Sequence, residues 1–330
     1  MDKNEIFALE LIRNVGPTTV SKIIDYMEKQ SIDSIRDIDV NDLIINIRQT
    51  KTKEALLENL PWENFQRYIN DAKEKIFDIE EKGISIVCIN DTNYPKLLKM
   101  IKTAPVFLYC RGDLALLEKT NNVAVVGTRN NTEHGKLIAE KTIEFLCEND
   151  YTIVSGLALG IDTIAHQKTL DQGGKTISVL VDVDNVQPAS NRDLANDILE
   201  QGGLLVAEEK PGTKTIPSMF AKRDRIQSGM SLAVFPIETS INGGTMHAVK
   251  SATKENRFVY VPDAAKSGYV DIGIEQIEGI KYLIEEEIAI PYTKKIYGDI
   301  LESLHKKEKE LMFHPKEENS QVSNDKGLFG

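Results

Sequence analysis

The sequence predicts an α/β protein with a doubly wound, mostly parallel sheet at its centre and a small all-helical domain in front of it. Three observations carry this. From Asn122 onward, short apolar runs of strand character alternate with stretches of helical character, the pattern of a parallel sheet covered on both faces. Inside that region, Val123 to Ala165 reads as two successive strand-to-helix junctions made of small residues, VAVVGTRNNTEHG and TIVSGLALGIDTIAH. The first seventy or so residues instead repeat their apolar side chains at helical spacing.

Taken from the start, IFALELIRNVGPTTVSKIIDYM is helical on both sides of Val15, Gly16 and Pro17, with Pro17 suited to the first turn of the second helix. This is the form of a helix-hairpin-helix unit, which can hold a DNA backbone through its hairpin amides or simply pack against a neighbour. With a single copy and only Arg13 and Lys22 as nearby cations, packing or a protein contact is the preferred reading. A longer amphipathic helix follows from Trp62 to Glu81, with Gly83 as its stop. ISIVCI then reads as a strand, KLLKMI as a short helical stretch, and VFLYC as a strand closed by Arg111 and Gly112. Further strands are expected at Val123, Ile153, Thr176, Gly203, Ser231 and Arg257, with helices near Thr132, after Gly160, after Pro188 and after Gly243. The last forty residues hold one helix and then a polar tail read as disordered. The chain thus divides into a helical domain over 1–70, the α/β domain over 71–290, and a C-terminal helix with its tail over 291–330.

Composition narrows the class. With 330 residues, 41% of them hydrophobic and 28% charged, the chain reads as a soluble globular protein. No apolar run approaches the roughly 20 residues of a membrane helix, and MDKNEIFALE lacks the basic and apolar regions of a signal peptide, so a cytoplasmic protein away from membranes is expected. Cys88, Cys110 and Cys147 are scattered, with no C-x-x-C pair or His-rich segment, so neither a disulfide framework nor a metal site is expected and no cofactor is implied. A formal charge of −11 argues against a protein that coats nucleic acid. The charge is uneven, however: Gly212 to Met230 carries Lys214, Lys222, Arg223 and Arg225 against Asp224 alone, and screening lets such a basic patch persist on an acidic protein.

The chemistry lies in the loops. Gly127 permits close backbone approach, Thr128 offers a hydroxyl and Arg129 a planar fork suited to phosphate, although a glycine and a small residue also simply close a strand-to-helix turn. The loop is neither a Walker A sequence nor G-x-G-x-x-G. Ser155, Asp162 and His166 invite a triad reading, but the G-x-S-x-G elbow is missing and no catalytic residue is assigned. In FAKRDRIQSG, Lys222 and Arg225 lie close to one helical face with Arg223 offset, and Phe220 can stack on a base or anchor the helix. A solvated charged face competes with that reading; position after the PGTKTIP loop favours binding. INGGTMH, with Gly243, Gly244 and Thr245, is another small-residue loop opening a helix, its amides aimed along the same edge of the sheet.

In order, these motifs resemble the DNA-processing protein A family, also called DprA or Smf, whose members show V-G-[ST]-R, S-G-L-A-x-G-I-D-x-x-A-H, F-P-x-R-N-R-I-I-x-G, S-G-[ST]-x-x-T-A and V-P-G. Here they stand as VVGTR, SGLALGIDTIAH, FAKRDRIQSG, INGGTMHAV and YVPD, within about Asn90 to Ile290. The resemblance implies an extended Rossmann-like domain that binds single-stranded DNA, forms a homodimer and loads a RecA-type recombinase on DNA taken up in transformation, without catalysis. It also implies phosphate contacts from Arg129, Lys222, Arg223 and Arg225, and a pocket shaped by Ser155, Gly156, Gly160, Asp162 and His166. Three residues depart from the pattern: Ala221 stands for the proline, Asp224 for the asparagine and Asp263 for the final glycine. Asp224 should weaken phosphate binding unless it pairs with Arg223 or Arg225. TISVLVDVDNVQPASN lacks the G-x-G-x-x-x-x-Y-P pattern, and the tail shows no winged-helix pattern. Two other readings stand beside this one. The first is a nucleotide-binding sensor or nucleoside-monophosphate-processing enzyme of the lysine-decarboxylase-like class, using Glu208 or Glu238; the second is a scaffold whose loops bind nothing.

Overall fold

The computed structural model describes residues 1–266 and 277–313, apart from the side chain of Asn46. The expected disordered tail and residues 267–276 lie outside the described residues.

The chain opens with α1 (Lys3–Leu11) and α2 (Pro17–Gln30) on either side of the expected hairpin, and Pro17 takes the first turn of α2. α3 (Val40–Leu43), α4 (Thr50–Asn59) and α5 (Trp62–Glu80) follow. Ile6, Phe7 and Leu9 of α1 and Ile23 and Met27 of α2 are buried, and their core continues into the sheet, where the Phe7 and Phe107 rings meet edge to face at 5.5 Å. α5 runs unbroken through residue 70.

The sheet is built from β1 (Ser85–Cys88), β2 (Phe107–Gly112), β3 (Asn122–Val126), β4 (Thr152–Ser155), β5 (Thr176–Leu180), β6 (Leu204–Ala207), β7 (Ala233–Pro236), β8 (Phe258–Pro262) and β9 (Ile290–Tyr292). Between these strands run α6 (Lys96–Lys99), α7 (Glu133–Glu148), α8 (Ile161–Asp171), α9 (Arg192–Glu200), α10 (Pro217–Gly229), α11 (Thr245–Lys254) and α12 (Glu278–Glu285), and α13 (Tyr297–Phe313) closes the described chain. Among the described residues the strand order is β1-β2-β6-β5-β4-β3-β7-β8-β9. β2 runs antiparallel to both β1 and β6, and every other neighbouring pair is parallel, as a doubly wound, mostly parallel sheet requires.

β3 shows why this sequence makes a central strand. Its alternating side chains serve two cores, Val123 and Val125 packing with Ile143 and Leu146 of α7, and Ala124 and Val126 with Ile226 and Met246 of α10 and α11. The chain winds outward from β3 through β4 and β5 to β6, then crosses back to place β7 on the other side of β3. The winding therefore reverses between β3 and β7, and the loops leaving their carboxyl ends part to opposite faces, opening a crevice.

Candidate functional site

The two small-residue junctions interlock at that crevice. A Cβ on Gly127 would lie 2.5 Å from the Ile161 side chain at the start of α8, and one on Gly160, whose φ is +79°, would lie 2.3 Å from Thr128 O. Glycine at both positions lets the loops cross, and Ile161 N–H donates to Thr128 O at 3.2 Å. From the opposite side, Thr128 N–H donates to Glu238 O at 2.8 Å. The fully buried Glu238 carboxylate accepts from Thr132 N–H at 2.9 Å and from Thr132 Oγ1 at 2.6 Å. Thr132 Oγ1 in turn caps α7 by accepting from Gly135 N–H at 2.9 Å. One acid beyond the end of β7 thus fixes the loop that leaves β3.

A cleft of about 470 Å³ opens between these loops. Gly127, Thr128 and Arg129 form one wall, the start of α11 at Gly243, Gly244 and Thr245 faces them, and Phe220, Arg223 and Asp224 of α10 close the side. No side chain caps α11, so its first-turn amides add partial positive charge to the wall. Arg129 is exposed at the rim and, among the described residues, forms no ion pair.

Arg223 is only 8% exposed. Its Nη2 donates to Gly156 O at 3.1 Å, while Nε and Nη1 have no hydrogen-bond acceptor among the described residues. A Cβ on Gly156 would fall 1.7 Å from Nη1, so glycine makes room for the guanidinium. Two carboxylates flank it, Asp224 at 3.4 Å and Asp162 at 4.0 Å. Burial pushes the Asp162 carboxyl up to about 6 against the opposing pull of Arg223, although Gly156 and Ala158 N–H donate to it at 3.2 and 3.4 Å. Burial also raises the Asp224 carboxyl, with Arg223 pulling it the other way. The feared conflict at Asp224 is therefore met by pairing with Arg223.

The remaining sequence-predicted residues lie elsewhere. Ser155 is fully buried and donates to Val125 O at 2.7 Å. His166, also fully buried, sets Nδ1 2.7 Å from Thr176 Oγ1, whose hydroxyl donates to Ile153 O at 2.8 Å. That network assigns the proton to Nδ1, and burial, helped by the Arg223 charge, holds the ring neutral by pushing it down to about 3. Ser155, Asp162 and His166 are framework and do not assemble a triad. The basic cluster is split by its helix. Lys222 pairs with Glu208 at 3.1 Å and Glu209 at 2.8 Å, and Arg225 with Glu208 at 2.7 Å, on the flank beyond the end of β6. Three residues apart, Lys222 and Arg225 share a face, whereas Arg223 is turned about 100° from Lys222 into the cleft. Sequence reading missed His247, Thr239 and Ser240 in the cleft wall. The signal for His247 was its place one turn into the helix that the Gly243 loop opens.

Comparison with known proteins places these features in context. The family model described as DNA recombination-mediator protein A matches residues 85–305. The DNA processing protein DprA of Bacillus subtilis is 30% identical over 234 residues, covering 70% of this chain and 78% of that protein. DprA of Streptococcus pneumoniae is 36% identical over 222 residues, 64% of this chain and 75% of that one. The X-ray structure of the Streptococcus pneumoniae protein superposes with a TM-score of 0.74 at 28% identity, covering 92% of this chain and 98% of that chain. A DNA processing protein A from Helicobacter pylori, solved for its single-stranded DNA binding mode, gives 0.58 at 26% identity over 66% of this chain and 96% of that chain.

Proposed function

The chain belongs to the DNA recombination-mediator protein A family, and from that premise we propose that it binds single-stranded DNA by seating a backbone phosphate in the cleft between β3 and β7. One observation carries the reading: a deeply buried arginine, Arg223, holds two unsatisfied donor nitrogens at a cleft rimmed by exposed Arg129 and walled by the uncapped start of α11. An anion supplies the missing acceptors, and the edge of a doubly wound sheet where the winding reverses is where such folds place one. Arg129 steers and neutralises the phosphate, Gly127 and Thr128 offer main chain and hydroxyl, and Arg223 is held in line by Asp162 and Asp224.

In this proposal the protein protects incoming single strands in the cytoplasm, acts as a homodimer and loads a RecA-type recombinase, as the sequence resemblance implies. Residues 71–290 carry the DNA, residues 1–70 make protein contacts, and α13, in the segment after residue 290, braces the sheet. Binding, not catalysis, is the proposed activity. The carboxylates singled out for a nucleotide-processing enzyme are committed elsewhere, Glu238 to Thr132 and Glu208 to Arg225 and Lys222. Ser155 is not poised as a nucleophile for Asp162, since its hydroxyl donates to the main chain.

Fluorescence anisotropy with labelled oligothymidine and its duplex, at two salt concentrations, tests this. The single strand should bind more tightly, and Arg129→Ala should weaken it and lower the salt slope by about one. Lys222→Ala and Arg225→Ala should change it far less, because their charges are already paired. Absence of single-strand binding, or an Arg129→Ala protein that binds as well as the parent, removes the basis of the proposal.

A further inference from the structure

A second concentration of positive charge lies on the flank of α10 that faces away from the cleft. In KLLKMIK, which forms α6 and the turn after it, Leu97, Leu98 and Ile101 are buried, while Lys96, Lys99 and Lys102 are exposed one turn apart on the outer face. Among the described residues, none of these three lysines forms an ion pair or a side-chain hydrogen bond.

Their support is well anchored. A Cβ on Gly229, the last residue of α10, would lie 2.8 Å from Leu98 and 2.9 Å from Ile101, so glycine lets α6 seat closely on α10. Arg225 Nε donates to Thr103 O at 3.1 Å, and Arg257 Nη2 donates to Leu97 O at 2.9 Å. Arg257 is only 5% exposed, and its Nε and Nη1 have no acceptor among the described residues. A fourth cation with unmet donors thus underlies the three lysines. Glu255 and Glu310 are the acids whose charge acts on it, and Glu310 is itself paired with Lys307 at 3.0 Å.

We propose that the lysine face of α6 is a second contact for the DNA backbone, engaged by nucleotides that leave the cleft across α10. The inference rests on the phosphate reading above and adds to it the path of the strand and a minimum length. Three features favour a nucleic-acid backbone. Helical geometry sets Phe220, Arg223 and Asp224 about 180° around α10 from Lys222, Arg225 and Gly229, so the width of one helix, about 10 Å, separates the cleft from α6. A strand crosses that width in about three nucleotides. The exposed crossing at Pro217, Ser218 and Ala221 is made of short side chains that leave it low. Lys222 and Arg225 on the same flank are already paired with Glu208 and Glu209, whereas the α6 lysines keep their charge for a partner. An ammonium on a flexible stem neutralises a phosphate in many geometries, as a strand held without regard to sequence requires. An acidic protein segment would also satisfy the lysines, but it has no continuity with the cleft.

The test is anisotropy with oligothymidine of about three nucleotides, too short to reach α6 from the cleft, and of about 20. The proteins are the parent, Arg129→Ala, and two triple variants in which Lys96, Lys99 and Lys102 are all changed to Ala or all to Arg. For the longer strand the alanine triple should lower the salt slope by about two, since each single-strand phosphate contributes about 0.7. The arginine triple should keep the parent slope. The shorter strand should bind parent and alanine triple alike, and Arg129→Ala should weaken the longer strand whatever stands on α6. An alanine triple with the parent slope on the longer strand, as expected if the lysines meet an acidic protein or water, overturns the second contact and leaves the phosphate cleft intact. So does an arginine triple that behaves like the alanine triple, or an equal loss at both lengths. Failure of both strands to bind the parent protein overturns both.

Discussion

Asp162→Asn isolates the electrostatic cost of the carboxylate buried behind Arg223. With its ionisation raised from 3.8 to about 6, the folded protein holds a proton on Asp162 more tightly than the unfolded chain does, so protonation favours folding. The contribution is therefore most favourable below about pH 4, is lost as pH rises through about 6, and is flat above that. Between pH 8 and pH 5 the two values give about 1.4 kcal/mol of stabilisation for the acid side of the parent protein. In a chain of this size that is roughly 2 °C in melting temperature. Asparagine keeps an oxygen to accept from Gly156 and Ala158 N–H but cannot titrate. Asp224, displaced in the same direction and coupled to Asp162 through charge, remains in both proteins, so the comparison of parent with variant reports the loss of Asp162 together with its effect on Asp224. The assay is thermal unfolding of both proteins from pH 8 to pH 5. The parent should gain about 2 °C on the variant as the pH falls; a difference independent of pH would show that the carboxylate is not strained by burial and would refute the reasoning.

Two further variants probe the framework. Gly156→Ala drives a methyl into the space of Arg223 Nη1, and should lower stability by about 2 kcal/mol and cut single-strand affinity as much as Arg129→Ala does; melting and anisotropy that both match the parent would mean the guanidinium does not occupy that space. Glu238→Ala removes the acceptor of two hydrogen bonds from Thr132, and should cost about 3 kcal/mol, seen as a melting temperature lower by roughly 4 °C. Glu238→Gln should recover part of that loss, and an unchanged melt of the alanine variant would argue against the staple.

The fold was readable where periodicity and punctuation agree. The VAVVG run became β3, buried on both faces, and the apolar runs at Thr176, Gly203 and Ser231 became β5, β6 and β7. Pro17 and Gly243 marked real beginnings of helices, α2 and α11. The small-residue loops were readable too, because close approach of main chains demands glycine whatever the partner. What failed was partner identity. A helical wheel places Lys222 and Arg225 on one face but says nothing of Glu208 and Glu209, which wait there at the end of another strand. Ser155 and His166 belong to motifs that carry the resemblance, yet Ser155 Oγ is spent on the main chain and His166 Nδ1 on Thr176, while His166 Nε2 is buried without a partner among the described residues. Sequence spacing cannot separate a polar residue that holds a loop from one that meets a ligand, since both are polar and both sit beside the site.

The staple at Glu238 has a consequence in time. The loop after β3 is complete in the chain by residue 132, but the acid that shapes it comes 106 positions later, and the strand beside it, β7, is nearly as distant. A chain emerging from the ribosome thus carries the loop long before it carries the means to fix it. The first seventy residues can collapse early on local contacts, whereas the cleft must wait for a long-range closure that is slow by its topology. Strand-binding competence should therefore be among the last properties this protein acquires as it is made, and among the first it loses when β7 is disturbed.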